Sequence, residues 1–146
     1  MLYRFHVSLS NIDQNIYSTL DFRTSLHPSE SLTYLLSRSL AYILSYEERL
    51  EFSPHGLADP DEPAIQKFDL QGFYELWIEI GNPPLKKLHK ASKSSKRVLV
   101  YTYKDPDSLV AELIKNPIHR SKDLEIYALD PDFLSSLESI LVKNNH

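Results

Sequence analysis

Two stretches near the start of the chain alternate apolar and polar positions, at residues 2–10 and 16–24. Successive side chains of a strand point to opposite faces, so this alternation is typical of strands with one buried face. The segment between them, NIDQN at 11–15, is rich in turn-forming residues. The N-terminal part of the chain is therefore predicted to form a β-hairpin.

A helical period replaces the alternation at Pro28. Proline, followed by Ser29 and Glu30, suits the first turn of a helix. Apolar residues then recur three and four positions apart, at Leu32, Leu35, Leu36, Leu40, Ile43 and Leu44. The pattern predicts a long amphipathic helix up to about Glu51, followed by a loop at 53–62 that is interrupted by prolines and a glycine.

The second half of the chain alternates strand-like and helix-like segments. Strands are predicted from residue 65 and at 75–81, 97–103 and 124–129, and helices at 85–92, 107–115 and 131–143, the last with Asp130 as N-cap. The first two of these strands form a second hairpin with a turn at 71–72. This order predicts an α/β (α+β) fold, in which helices flank a mixed central sheet.

Length and composition narrow the classes of protein. A chain of 146 residues suits one domain spanning 1–146. It has no cysteine, which excludes disulfides and thiolate metal sites, and its three glycines form no phosphate-binding loop or GxSxG motif. No long apolar span or leader-like segment is present, so we expect a soluble, cytoplasmic protein without membrane contact.

Positive charge is concentrated in one segment, although the chain as a whole is acidic. The net charge is −4, yet residues 86–97 hold six of the sixteen lysines and arginines. Any attraction to phosphate must therefore come from this cluster. The alternative is an ordinary solvated helix surface, which is the more common role of a lysine run.

The segment ELWIEIG at 75–81 carries the most informative chemistry. Strand periodicity places Trp77 and Glu79 on one face and the apolar residues 76, 78 and 80 on the other. We therefore expect the apolar face to pack on a core and the Glu79 face to be open for chemistry. A carboxylate within an apolar strand needs a basic partner or a metal.

The acidic and basic residues around this strand are of the types that form a divalent-metal site for phosphodiester chemistry. Asp61 and Glu62 precede it, and Lys86, Lys87 and Lys90 follow it. Carboxylate oxygens are the ligands that Mg²⁺ prefers, and an ammonium group can hold a phosphate. The competing interpretation for Asp61 and Glu62 is a turn and cap. No histidines have the HxxH or HExxH spacing of a metal site.

Five motifs in the same order resemble the YaeQ family. They are HPSE at 27–30, ERLEF at 48–52, DEP at 61–63, ELWIEIG at 75–81 and the LHKA segment ending at Ala91. The resemblance implies a compact PD-(D/E)XK nuclease-like fold with an acidic Mg²⁺ site and nucleic acid as the partner. It also implies the site residues. The metal ligands would be Glu48, Glu51, Asp61, Glu62 and Glu79, with Glu79 and Lys90 as the catalytic pair.

The sequence departs from the family pattern in three places. The family motif reads DEPD, whereas Ala64 follows the proline here, and Gly81 stands where the nuclease motif has a lysine two residues after Glu79. The family commonly continues beyond the position of residue 146 into further strands that would offer surface for a substrate. We therefore expect a nuclease or phosphodiesterase with impaired or lost catalysis. The alternative is a non-catalytic binding or regulatory protein on the same scaffold, linked to transcription or nucleic-acid machinery.

Overall fold

The computed structural model describes residues 1–55 and 59–146, and it contains two mixed sheets and four α-helices. In chain order the elements are β1 (Leu2–Asn11), β2 (Ile16–Ser25), α1 (Leu32–Leu44), β3 (Glu51–Phe52), β4 (Ile65–Phe68), β5 (Tyr74–Ile80), α2 (Leu85–Ser94), β6 (Ser95–Thr102), α3 (Pro106–Lys115), a 3₁₀ turn (Ser121–Asp123), β7 (Glu125–Ala128), α4 (Pro131–Ile140) and β8 (Asn144–Asn145). None of the helices in these ranges has the length and apolar character that crossing a bilayer requires.

The first sheet is built on the predicted hairpin, which is confirmed. Strands β1 and β2 pair antiparallel from Leu2 opposite Ser25 to Asn11 opposite Ile16. The short β8 adds to the other edge of β1 in parallel. The sheet therefore joins the two ends of the described chain.

The second sheet has the order β3-β4-β5-β6-β7. Its first three strands are antiparallel, and β5, β6 and β7 are parallel. Parallel neighbours need a crossover, and α2 and α3 supply the two crossovers. The predicted mixed sheet flanked by helices is confirmed.

Both faces of this sheet are buried. Ile65, Leu76 and Ile78 pack toward Ala41 of α1 on one face. On the other, Trp77 packs with residues of β6, α2 and α3. The strand period was thus predicted correctly, but the prediction that the Glu79 face is open was wrong, because both crossover helices cover it.

Helix α1 is shorter than predicted, and it covers the apolar positions from Leu32 to Leu44 without the flanking residues. It begins at Leu32, since Ser31 is the N-cap and accepts a hydrogen bond from the Tyr34 amide, and it ends at Leu44. The turn that follows includes Arg49 in the left-handed region, at φ 71°. The prediction of a helix from Pro28 to about Glu51 was therefore wrong at both ends.

Helix α4 was predicted more closely. Its N-cap is Asp130, as expected, and the carboxylate accepts from the Asp132 amide. The helix ends at Ile140 rather than at Lys143. The remaining residues extend instead, because the carbonyl of Lys143 accepts a hydrogen bond from the Arg4 amide of β1.

Candidate functional site

A cleft of about 640 Å³ opens at the carboxyl end of β5. It lies between the segment 59–62, the end of β5 and the first turns of α2. Charged side chains of both signs line it, namely Asp59, Asp61, Glu62, Glu79, Lys86, Lys87, Lys90 and Lys104. The cleft therefore offers oxygen donors and ammonium groups around one cavity.

Glu79 is the buried carboxylate of this cleft, with 4% of its surface exposed. Its Oε1 accepts a hydrogen bond from Trp77 Nε1 at 2.8 Å and lies 3.1 Å from Lys87 Nζ. The indole reaches it because the two residues are two apart on β5 and share a face. Burial raises the pKa of Glu79 above its usual range, and the Lys87 charge and the Trp77 hydrogen bond only partly oppose that shift.

This raised pKa predicts how stability depends on pH. The folded protein holds a proton on Glu79 at pH values where the unfolded chain has released it. The associated stability is therefore present below about pH 4.5 and is lost as the pH rises through the folded pKa. We expect Glu79→Gln to unfold at a higher temperature than the wild type at neutral pH, by a free-energy difference on the order of 1 kcal/mol.

Thermal unfolding followed by circular dichroism across this pH window tests the expectation. Glu48→Gln is the matched control, because it makes the same chemical change at an exposed position outside the cleft. The advantage of Glu79→Gln should shrink as the pH falls from the folded pKa toward about 4.5, and it should be smallest below that pH. A constant difference at all pH values would mean that Glu79 does not titrate as its burial requires.

Helix α2 brings three lysines to the cleft, and two of them pair with its carboxylates. The helix begins at Leu85, directly after Pro83 and its N-cap Pro84. Lys87 reaches Glu79, and Lys90 Nζ, one turn further along, lies 3.4 Å from Asp61 Oδ1. The helix thus contacts the acidic side chains of both β5 and the segment 59–62.

Two carboxylates of the segment 59–62 lie beside His55. His55 Nδ1 lies 3.0 Å from Glu62 Oε1, and one ligand atom each of His55, Asp59 and Glu62 lies within 4.8 Å of the others. The Glu62 hydrogen bond and charge raise the pKa of His55. Glu62 Oε2 is buried and accepts no hydrogen bond from the residues the structure describes.

Tyr34 of α1 is a further polar group of the cleft. Burial raises its pKa to about 12, and the nearby Glu79 charge adds to that rise. The hydroxyl consequently remains protonated at neutral pH and can donate a hydrogen bond.

Ala64 occupies the position at which the sequence departs from the family pattern. Its amide donates to the Ile78 carbonyl at 3.0 Å, which places it beside Glu79 on the neighbouring chain segment. The residue is 7% exposed and lines the cleft. Position 64 therefore lies where the core cluster of Ile65 and Ile78 meets the wall of the cavity that Glu79 also lines.

The structure brings some of the predicted site residues together and leaves others apart. Glu79, Asp61, Glu62 and Lys90 line the cleft. Glu48 and Glu51, which were also predicted as metal ligands, do not line it. The reason is the early end of α1, after which Glu48 lies in an exposed turn and Glu51 lies on β3. There Glu51 Oε1 accepts from Gln66 Nε2 at 3.1 Å.

Sequence reasoning missed other residues of the cleft. It ranked Lys90 first, whereas Lys87 is the lysine that contacts Glu79. It also omitted Tyr34, Asp59 and Lys104. Asp59 had a local signal, since the run DPDEP holds three acids within four residues. Tyr34 and Lys104 reach the cleft only through the tertiary fold.

Comparison with known proteins gives a consistent result. A family model described as "YaeQ protein" matches residues 1–146. The Uncharacterized protein YaeQ of Escherichia coli (strain K12) is 33% identical over 103 residues, which cover 70% of this chain and 56% of the relative. The protein of the same name from Salmonella typhi is 31% identical over 142 residues, covering 93% and 75%. The match thus spans little more than half the length of the Escherichia coli relative.

Two crystal structures resemble the fold described above. The YaeQ protein from Xanthomonas axonopodis pv. citri superposes with a TM-score of 0.89 at 27% identity, covering 99% of this chain and 81% of that chain. The YaeQ protein from Pseudomonas syringae has a TM-score of 0.83 at 29% identity, with coverage of 98% and 79%.

Proposed function

The chain belongs to the YaeQ family, and we propose that its cleft binds Mg²⁺ and the phosphate backbone of nucleic acid, as a nuclease-type site in which cleavage is slow or absent. One observation supports this proposal most directly. Carboxylates from β5 and the segment 59–62 face lysines of α2 across a single cavity. Metal ligands and phosphate-binding groups are thereby adjacent, as phosphodiester chemistry requires.

The donor set fits a hard divalent cation. Carboxylate oxygens suit Mg²⁺, and the buried Glu62 Oε2 lacks a hydrogen bond from the described residues. A buried charged oxygen without a partner is costly, and a cation would remove that cost. Asp61, Glu62 and Glu79 would hold the ion once Asp61 and Glu79 turn from their lysine partners; in this structure the three ligand atoms within 4.8 Å of one another are those of His55, Asp59 and Glu62. When bound, Mg²⁺ supplies an activated water and neutralises charge on the phosphate.

The lysines of α2 have separate roles in this proposal. Lys87, which contacts Glu79, takes the place of the strand lysine that Gly81 replaces. Its ammonium group would orient the attacking water or stabilise charge on the phosphate. Lys90, paired with Asp61 near the surface, would bind a neighbouring phosphate once the carboxylate turns to the cation. Because only the position of the ammonium group matters, a lysine on a helix can replace the lysine that the strand carries in the nuclease motif.

Ala64 is the reason to expect slow or absent cleavage. It lines the cleft beside Glu79 with a methyl group where the family pattern has a carboxylate. With fewer direct ligands, the cation keeps more of its water shell and the attacking water is less well positioned. The same feature favours the second candidate function, a binding or regulatory protein that holds nucleic acid without cutting it.

Titration with Mg²⁺ by calorimetry tests the metal site. We expect Glu79→Gln to weaken Mg²⁺ binding about tenfold or more, because it removes a charged ligand. The control Glu48→Gln should bind Mg²⁺ as the wild type does.

A cleavage assay tests catalysis. End-labelled DNA and RNA should be cleaved slowly or not at all, and any cleavage should disappear in Glu79→Gln. Rapid cleavage that survives this substitution would place the chemistry elsewhere.

A further inference from the structure

A second groove lies at the other end of α2, with a volume of about 430 Å³. One wall is the turn between β4 and β5, and the other is the end of α2 with the segment around residue 119. Its lining includes Phe73, Lys93, Lys96, His119 and Arg120, and no carboxylate is present among the lining residues in the described ranges. The groove thus combines an aromatic ring with positive charge.

Phe73 is exposed although it is large and apolar, with 68% of its surface accessible. The turn that carries it is well ordered by hydrogen bonds. The Asp69 carboxylate accepts from the amides of Gln71 and Phe73, both at 2.9 Å, and the Asp69 amide donates to the Phe73 carbonyl at 2.8 Å. An exposed ring on a fixed backbone is preorganised for stacking on a planar group.

The basic side of the groove is also fixed in place. The Arg120 guanidinium donates to the carbonyl of Ser92 near the end of α2, at 2.7 Å, and to that of Lys96 on β6, at 3.3 Å. Lys96 pairs with Asp69 at 3.1 Å. Lys93 is exposed and forms no salt bridge within residues 1–55 and 59–146. Its charge is therefore available to a ligand.

Helix α2 connects this groove to the cleft. Lys86, Lys90 and Lys93 lie on one face, because positions three and four apart are neighbours on a helix. The segment LKKLHKASKS contains no acidic residue. From Lys86 to Lys93 the row extends about 10 Å, at 1.5 Å per residue. Positive charge thus continues from the groove to the cleft.

We propose that this groove binds single-stranded nucleic acid, with one base stacked on Phe73 and the backbone following the lysine row toward the cleft. The direction toward the cleft rests on the proposed function, whereas the stacking does not. A base in a duplex has both faces covered by its neighbours, so only an unpaired base can stack on the ring. Recognition rests on a ring face and ammonium groups, and binding should tolerate different sequences.

Filter binding of an end-labelled oligothymidylate, in EDTA, tests the groove without the metal site. We expect Phe73→Ala to weaken binding about fivefold or more, and the control Phe133→Ala, on the half-exposed ring of α4, to leave it unchanged. Lys93→Glu should weaken binding and reduce its salt dependence. Lys143→Glu, which makes the same charge change beside β8, should have a smaller effect.

The same experiment separates this inference from the proposed function. Binding of the oligonucleotide in EDTA reports on the groove, whereas calorimetric titration with Mg²⁺ reports on the cleft. A duplex of matching length should bind more weakly and be insensitive to Phe73→Ala. The inference is overturned if the wild type fails to bind the oligonucleotide, if Phe73→Ala binds normally, or if duplex and single strand bind equally. A failed Mg²⁺ titration with intact binding would overturn the proposed function alone.

Discussion

Replacing Arg38 with methionine is expected to lower the free energy of unfolding by about 3–5 kcal/mol. The Arg38 guanidinium lies between α1 and the hairpin, where it pairs with Glu30 at 3.1 Å and donates to Thr24 Oγ1 at 2.7 Å and the Ser25 carbonyl at 3.0 Å. The side chains of Arg38 and Glu30 are only 9% and 2% exposed. Methionine would leave a buried carboxylate without its counter-charge, which is the costly half of a broken ion pair.

Urea unfolding monitored by circular dichroism measures this loss. Arg49→Met is the matched control, since Arg49 is exposed and its one hydrogen bond to a described residue is the weak 3.4 Å contact to the Phe68 carbonyl. It should change stability by no more than about 0.5 kcal/mol. The double substitution Arg38→Met with Glu30→Gln should recover part of the loss, because no charge is then left unpaired. No recovery in the double variant would mean that packing, rather than the buried charge, sets the cost.

Replacing Ala64 with aspartate is expected to have opposite effects on stability and on metal binding. Without a divalent ion the new carboxylate is buried beside Glu79, and we expect a loss of about 2–3 kcal/mol. With Mg²⁺ it becomes an added ligand, so the ion should bind about tenfold or more tightly. Because a ligand that binds the folded state stabilises it, Mg²⁺ should raise the melting temperature more in this variant than in the wild type.

Ala64→Asn is the control for this experiment, because it has the same shape without the charge. It should also destabilise the protein, yet gain little Mg²⁺ affinity. Thermal unfolding with and without Mg²⁺, together with calorimetric titration, distinguishes the two variants. Equal Mg²⁺ affinity in Ala64→Asp and wild type would show that position 64 does not contribute to the site.

The parts of the fold that follow from local pattern could be predicted from the sequence. The hairpin, the alternating faces of β5 and the Asp130 cap depend on neighbours a few residues away. The end of α1 does not. No glycine or proline follows Leu44 until Pro54, so the sequence shows no breaker at the end of the helix, and the chain extends at Glu51 and Phe52 because those residues pair with β4. Such a pairing depends on residues distant in sequence, so no local pattern reports it.

In the candidate site, too, some features follow from neighbouring residues and others depend on the tertiary fold. Glu79 was identified because a charge on an apolar strand requires a partner. Which lysine provides that partner depends on how α2 packs, and the structure selects Lys87 rather than Lys90. Glu48 and Glu51 were assigned to the site from the ERLEF motif, on the assumption that α1 continues to about Glu51. Once α1 ends early, neither remains at the cleft.

The hydrogen bond from Trp77 to Glu79 has a practical consequence. Trp77 is the chain's single tryptophan, and its indole Nε1 donates to the carboxylate at the centre of the cleft. Indole fluorescence responds to a change in the charge of a hydrogen-bonded neighbour. The emission of the unmodified protein should therefore report the state of Glu79, the carboxylate that accepts the indole hydrogen bond in the described part of the chain. A protonation or a bound cation at the cleft would be visible as a spectral shift, without any label or second tryptophan to obscure it.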